Sequence, residues 1–254
     1  MSFEKPDHQL SLRETLNLTR QVLDKDVIVF VLPSIIAGII MGIIKIMLEP
    51  LSPASNIDVS SLFSNGFESL ISGLLVYLLI QNVFQSLVNS FSYGTCTVAA
   101  SKSLESENVS IGGSTRGALS RIVPLTIAGI ITSEISTIGL TMLIVPGILL
   151  IILFSMVQPV MLLEELEVLD SIKRSIRLVR NRIWFTVQIY ASVWLITSIV
   201  ANIVSWIMVS LGLRVGLFGN IVYGIATSLL APVIPIALTI QYYSLKSLES
   251  QSND

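Results

Sequence analysis

The chain has 254 residues, 52% of them hydrophobic and only 13% charged, with a formal net charge of -2 and a mean hydropathy of +0.80. Soluble domains carry about twice that charged fraction, so the apolar surface exceeds what one aqueous core can hide and lipid must be part of the solvent. A single cysteine, Cys96, excludes an internal disulfide and a cysteine-based metal cluster, and the single histidine, His8, sits in a polar stretch.

Residues 1–10 read as a polar tail. Ser11-Leu12-Arg13-Glu14 is a capping-box pattern, and Leu12, Leu16, Thr19 and Leu23 recur at helical spacing, which predicts a short amphipathic helix lying on the membrane. No signal peptide is expected, because about 26 mixed-charge residues precede the first apolar run. That run, 27–48, is long enough to cross the hydrocarbon. It carries Gly38 and Gly42 on one face, a spacing that favours close helix packing, and Lys45 near its end. The loop from Glu49 to Glu68 holds no Lys or Arg.

A second span is predicted over about 69–93. Gln81, Gln85 and Asn89 repeat every four residues along it, accompanied by Asn82, Ser86 and Ser90. In hydrocarbon such groups need partners, so the stripe faces protein or water. Two readings stay open: hydrogen bonding between helices, and a polar groove open to the cytoplasm, with Gln81, Asn82, Gln85 and Asn89 as its candidate lining. After a polar break at 101–117, residues 122–163 form one apolar stretch. As a single helix it would be about 63 Å long, twice the hydrocarbon thickness. It is therefore expected to fold as two spans, 122–137 and 140–163, turning near Glu134 to Gly139. Pro146-Gly147 and Pro159 are expected to bend the second of these.

Glu167 to Arg182 predicts a cytoplasmic surface helix. Val168, Ile172, Ile176 and Val179 share one face, and Lys173, Arg177 and Arg180 occupy the other. Acidic residues open it and cations close it, as the helix dipole prefers. Asp170 is expected to pair with Arg174. The candidate contacts with anionic lipid are Lys173, Arg174, Arg177, Arg180 and Arg182. Glu164, Glu165 and Glu167 are expected to pair with Lys173, Arg174 or Arg177 and lock this helix to the span before it. A fifth span follows at 184–211, with Trp184 and Trp206 about 33 Å apart along a helix, near the two interfaces. Arg214 marks an outer turn. A sixth span covers 217–243, where Pro232 and Pro235 are expected to produce a kink.

Charge fixes the expected sidedness. Six spans put thirteen of the fifteen cations on one side, all but Lys45 and Arg214. Both termini are therefore expected in the cytoplasm of a plasma-membrane protein, and the sequons at Asn17 and Asn108 fall inside, where they are not read. The chain also looks threefold: an amphipathic helix, an entering span and a returning span, starting at Ser11, Ser110 and Glu167. The pentapeptide Lys-Ser-Leu-Glu-Ser occurs at 102–106 and again at 246–250. The expected fold is thus all-α, a single integral membrane domain of six transmembrane helices plus short cytoplasmic amphipathic helices in a threefold helical-hairpin repeat.

Pro146-Gly147, Pro159, Glu164, the run Ile172 to Asn181 with Ser175 inside it, Trp184, and the ending Pro232 to Leu248 with Tyr242-Tyr243-Ser244-Leu245 together resemble the membrane domain of the glycerophosphoryl diester phosphodiesterase membrane-domain superfamily and related uncharacterised bacterial and archaeal proteins. The resemblance covers most of the chain and implies a six-helix domain in which Pro146, Gly147, Pro159, Glu164 and Ser175 are structural. It does not imply phosphodiesterase activity, which in that group belongs to a separate soluble domain, and none is expected here.

A metal hydrolase needs clustered ligands, a Ser–His–Asp site needs a histidine within reach, and no phosphate-cradling glycine loop is present. No catalysis, no cofactor and no nucleic-acid partner are expected. The expected function is a membrane scaffold, anchor or lipid-interacting factor whose partners are membrane lipids, a protein partner or a second copy. The alternative is a small-molecule or lipid transporter built on the polar stripe and the internal repeat.

Overall fold

The computed structural model describes residues 6, 10–51, 66–212 and 216–253, with side chains at all of these except 51, 66–75, 216–218, 220, 250 and 252–253. The expectations for Lys5, His8, Arg214 and most of the outer loop after Leu48 fall outside the described residues.

Every described element is helical. α1 (Leu12–Lys25) starts on the expected capping box: Glu14 takes the Ser11 N–H at 2.7 Å, and the Ser11 hydroxyl accepts from the Glu14 N–H at 3.3 Å. Its most buried residues are Thr15, Thr19 and Val22. The two threonine hydroxyls donate to Ser11 and Thr15 carbonyls, which hides their polarity and lets the face pack on protein. α2 (Val27–Leu48) runs into a single 3-10 turn (Glu49–Leu51). α3 (Gly66–Leu104) is one uninterrupted helix of 39 residues, about 58 Å long at the usual rise. α4 (Ile111–Leu119) is capped by Ser110, which accepts from the Gly113 N–H at 3.2 Å.

The long apolar stretch does fold back, but not at the predicted place. α5 (Ile122–Met142) continues straight through Glu134 and Gly139, and the turn is the single extended residue Leu143. Two facts explain the shift. Glu134 accepts a hydrogen bond from Asn82, so the carboxylate has a partner and no need of a turn. The next helix, α6 (Ile144–Phe154), carries Pro146 in its first turn, where its missing N–H costs nothing. Gly139 and Gly147 then face each other across the hairpin: a Cβ on Gly139 would lie 3.1 Å from the Gly147 Cα. Pro146-Gly147 thus starts a helix and closes a hairpin; it does not bend a span.

The second proline acts as a breaker. α7 (Val157–Leu163) is separated from α6 by Ser155 and Met156. Pro159 lies four residues after Ser155, so it offers the Ser155 carbonyl no N–H and its ring crowds that oxygen. α8 (Val168–Arg180) follows a turn containing Glu165 at φ 54. α9 (Ile183–Ser210) is the longest exposed helix, with Trp194, Leu195, Ile199, Ile203 and Trp206 all exposed. α10 (Gly216–Ser228) and α11 (Val233–Asn253) form a broken pair, and the expected kink at Pro232 is a full interruption at 229–232.

Among the described residues, five stretches are long and apolar enough to cross a membrane: Val27–Leu48, Ile122–Met142, Ile144–Leu163, Ile183–Ser210 and Ile221–Glu249. These helices are compatible with a multi-pass membrane protein, and many of their large apolar side chains are directed outward. α3 occupies the middle, against α2, α4, α5, α7 and α11. Its last turns supply Cys96, Ala99, Ala100 and Leu104 to a cluster with Phe30, Ile236 and Ile240. Gly38 of α2 meets Gly224 of α10 backbone to backbone, so the small-residue face noted in the sequence packs on a second glycine.

Candidate functional site

Two places gather polar side chains: the middle of α3 and the end where α7, α8 and α11 meet.

On α3, Asn82, Gln85, Ser86 and Asn89 share a face because their spacings are three and four. Gln85 Nε2 donates to Asn89 Oδ1 at 2.9 Å, and the Ser86 hydroxyl donates to Asn82 Oδ1 at 3.3 Å. Among the described residues the stripe bonds largely to itself; of the four predicted groove residues, only Asn82 is bonded there to another helix, at Glu134. The remainder faces space. Asn82, Gln85, Ser86 and Asn89 line one wall of a cavity of about 430 Å³, closed by Thr132, Ser133 and Ser136 of α5, by Ser155 and Gln158 at the α6–α7 break, and by Tyr93 and Tyr190. Gln85 and Asn89 also border a cavity of about 220 Å³ toward α2 and α10. Gln81, Asn82 and Gln85 line a third recess beside Glu134. The polar residues of α5 that face the α3 stripe were not singled out in the sequence. Their signal is Thr132, Ser133 and Ser136 at spacings of one, three and four; the expected turn, Glu134 to Gly139, overlapped it at Ser136.

At the other place, Arg174 lies between two carboxylates. Its Nε and Nη2 donate to Glu164 at 2.9 and 3.3 Å, and Nη1 and Nη2 donate to Glu249 at 2.7 and 2.6 Å. Tyr242 donates its hydroxyl to Glu164 at 2.9 Å, and Lys246 stands 3.5 Å from the same carboxylate. Burial pushes the Glu164 carboxyl up, but the Arg174 and Tyr242 donors and the Lys246 charge outweigh it and hold the group below its ordinary 4.5. Glu249 and then Glu164 hold the Arg174 guanidinium in its charged form against burial. Beneath the clamp, Met156, Val160, Leu178, Val179, Leu238 and Tyr242 form a buried cluster. Ser175 donates to the Leu153 carbonyl at 2.7 Å, satisfying an end group of α6 that the helix break would leave open.

The clamp decides which cations face outward. Lys173, Arg177, Arg180 and Arg182 are exposed, whereas Arg174 turns inward. Asp170 pairs with Lys173 at 3.4 Å instead of with Arg174, because Arg174 is already held by Glu164 and Glu249. Arg177, Asn181 and Arg182 border a recess of about 390 Å³ against Leu245, Leu248 and Glu249. Among the described residues, no group of three or more His, Cys, Asp or Glu could hold a metal ion. Compared with the models of known protein families, with characterised proteins and with solved structures, the chain matches none.

Proposed function

We propose that this chain is a six-span protein of the plasma membrane, with both termini in the cytoplasm and no catalytic activity, that holds anionic lipid of the inner leaflet against α8 and so serves as a scaffold, anchor or lipid-organising factor. The order of elements supports the six-span, threefold reading, since α1, α4 and α8 each precede a long apolar helix. It is also the arrangement that the superfamily resemblance implies.

One observation carries the lipid reading. Arg174 is consumed by Glu164 and Glu249, which fixes the roll of α8 so that Lys173, Arg177 and Arg180 project outward together. A basic edge at the cytoplasmic surface gains about 1 kcal/mol per cation from anionic headgroups. Trp184 lies close by in sequence and is 79% exposed, which supplies a reporter. With Trp194 and Trp206 replaced by Phe, Trp184 fluorescence in nanodiscs should be quenched more by brominated phosphatidylglycerol than by brominated phosphatidylcholine. Changing Lys173, Arg177 and Arg180 together to Gln should abolish the preference. Equal quenching by the two lipids in the unchanged chain would reject the reading.

The polar cavity beside α3 favours a second reading, a transporter of small molecules or lipids. It is supported by the volume left open around Gln85 and Asn89.

A further inference from the structure

The hydroxyls of the wall opposite the α3 stripe donate within their own helices. The Thr132 hydroxyl donates to the Ala128 carbonyl at 2.8 Å, Ser133 to Ile130 at 3.0 Å, Ser136 to Thr132 at 2.6 Å, and Ser155 to Ile152 at 2.7 Å. On the α3 side, Ser86 donates to Asn82. A hydroxyl has one proton and two lone pairs. Each of these side chains has committed its proton to its own helix and keeps acceptor capacity toward the cavity.

One further atom bears on the same wall: Gln158, which lines the cavity, carries an Oε1 that is buried without a hydrogen-bond partner. Gly129 of the same lining adjoins its amide: a Cβ placed there would lie 3.8 Å from Gln158 Nε2. A buried acceptor left open in hydrocarbon is costly. Among the described residues the lining holds no Lys, Arg, His, Asp or Glu, and Glu134, bonded to the lining residue Asn82, belongs to the adjoining recess, so an ionic occupant would find no counter-charge inside the cavity. Its volume of about 430 Å³ lies within the ordinary range for ligand sites.

We propose that this cavity binds an uncharged polyhydroxyl group, whose several O–H donors match the hydroxyl lone pairs of the wall and, once the Gln158 amide turns toward the cavity, its oxygen. The group belongs either to a free polyol or to the sugar headgroup of a glycolipid entering from the bilayer. This goes beyond the lipid-holding reading of α8 and does not depend on it.

The test is equilibrium binding to the full chain in phosphatidylcholine nanodiscs, with tritiated glycerol, glucose, a glucosyl diacylglycerol and choline as probes. Saturable binding of at least one hydroxyl probe is expected, with choline at background. A glucose or glycerol signal assigns the free polyol, and a signal from the glycolipid alone assigns the headgroup. Gln158→Leu should weaken that binding at least tenfold, and Gln188→Leu, at an exposed position of α9, should leave it unchanged. Gly129→Ala adds one methyl at ordinary contact distances, so it keeps the fold, and it too should weaken binding. Absence of saturable binding by all three hydroxyl probes, choline binding as tight as theirs, or undiminished binding in both Gln158→Leu and Gly129→Ala would each overturn the proposal.

Discussion

Arg174 and Glu249 form a two-pronged ion pair, at 2.7 and 2.6 Å, across 75 positions of sequence. It ties α8 to the end of α11, and the second carboxylate, Glu164, ties the same guanidinium to the end of α7. Arg174→Met removes both links and leaves Glu164 largely shielded beside Tyr242. Hydrogen bonds to charged groups contribute roughly 1.5–3 kcal/mol, so Arg174→Met should cost about 3 kcal/mol. Glu249→Gln, at the more exposed carboxylate, should cost about 1 kcal/mol. Denaturant titration in detergent, followed by tryptophan fluorescence, measures both; equal costs would contradict the assignment of Glu164 as the more shielded partner.

The same clamp sets an acid limit. The folded Glu164 carboxyl lies below its ordinary 4.5, so its stabilising contribution is fully present above about pH 4.5 and is lost as pH falls through the lower folded value. The unfolding midpoint of the unchanged chain should exceed that of Glu164→Gln at pH 6–7. The gap should close on acidification below pH 4.5. A gap constant from pH 7 to pH 3 would show that Glu164 is protonated throughout or unpaired.

Two glycines in helices should respond oppositely to a methyl group. At Gly147 the new Cβ would fall against the backbone of Leu140, which cannot rotate away, whereas at Gly112 nothing lies within 4 Å. Gly147→Ala should destabilise by about 1–3 kcal/mol through overpacking. Gly112→Ala should be neutral or stabilise by about 0.4–1 kcal/mol. Thermal unfolding of the two variants under one set of conditions tells them apart, and a harmless Gly147→Ala would mean that the α5–α6 hairpin is looser than described.

Sidedness can be read with cysteine chemistry. Cys96 is fully buried, so the unchanged chain should resist maleimide. Leu211→Cys, at the exposed end of α9, should be labelled on intact cells by a membrane-impermeant maleimide. Asn181→Cys, beside α8, should be labelled only after permeabilisation. The opposite pattern would invert the proposed topology.

Much of this was legible in the sequence because lipid imposes a simple rule: a helix spanning it must be long and apolar. The apolar runs at 27–48, 122–163 and 184–211 fall on α2, α5 to α7 and α9. The capping box at Ser11 and the amphipathic pattern of α8 were equally local. The α3 stripe was visible because period and polarity coincide on one helix. Its opposite wall was not, since the predicted turn at Glu134 to Gly139 cut across Ser136 and the partner of Glu134, Asn82, lies 52 positions away.

The pentapeptide that occurs twice shows where the sequence stops deciding. At 102–106 it ends α3: Ser106 takes φ 57, and the Glu107 N–H closes on the Lys102 carbonyl at 2.9 Å. At 246–250 the same five residues continue inside α11. Glu105 accepts from Tyr243, whereas Glu249, at the matching position, holds Arg174. Hydrophobicity, helix periodicity and caps are properties of neighbouring residues, and the sequence carried those on its own. Which carboxylate meets which cation, which amide lines a cavity, and where a helix of fixed composition must stop depend on groups brought together from distant positions, and packing alone settled them.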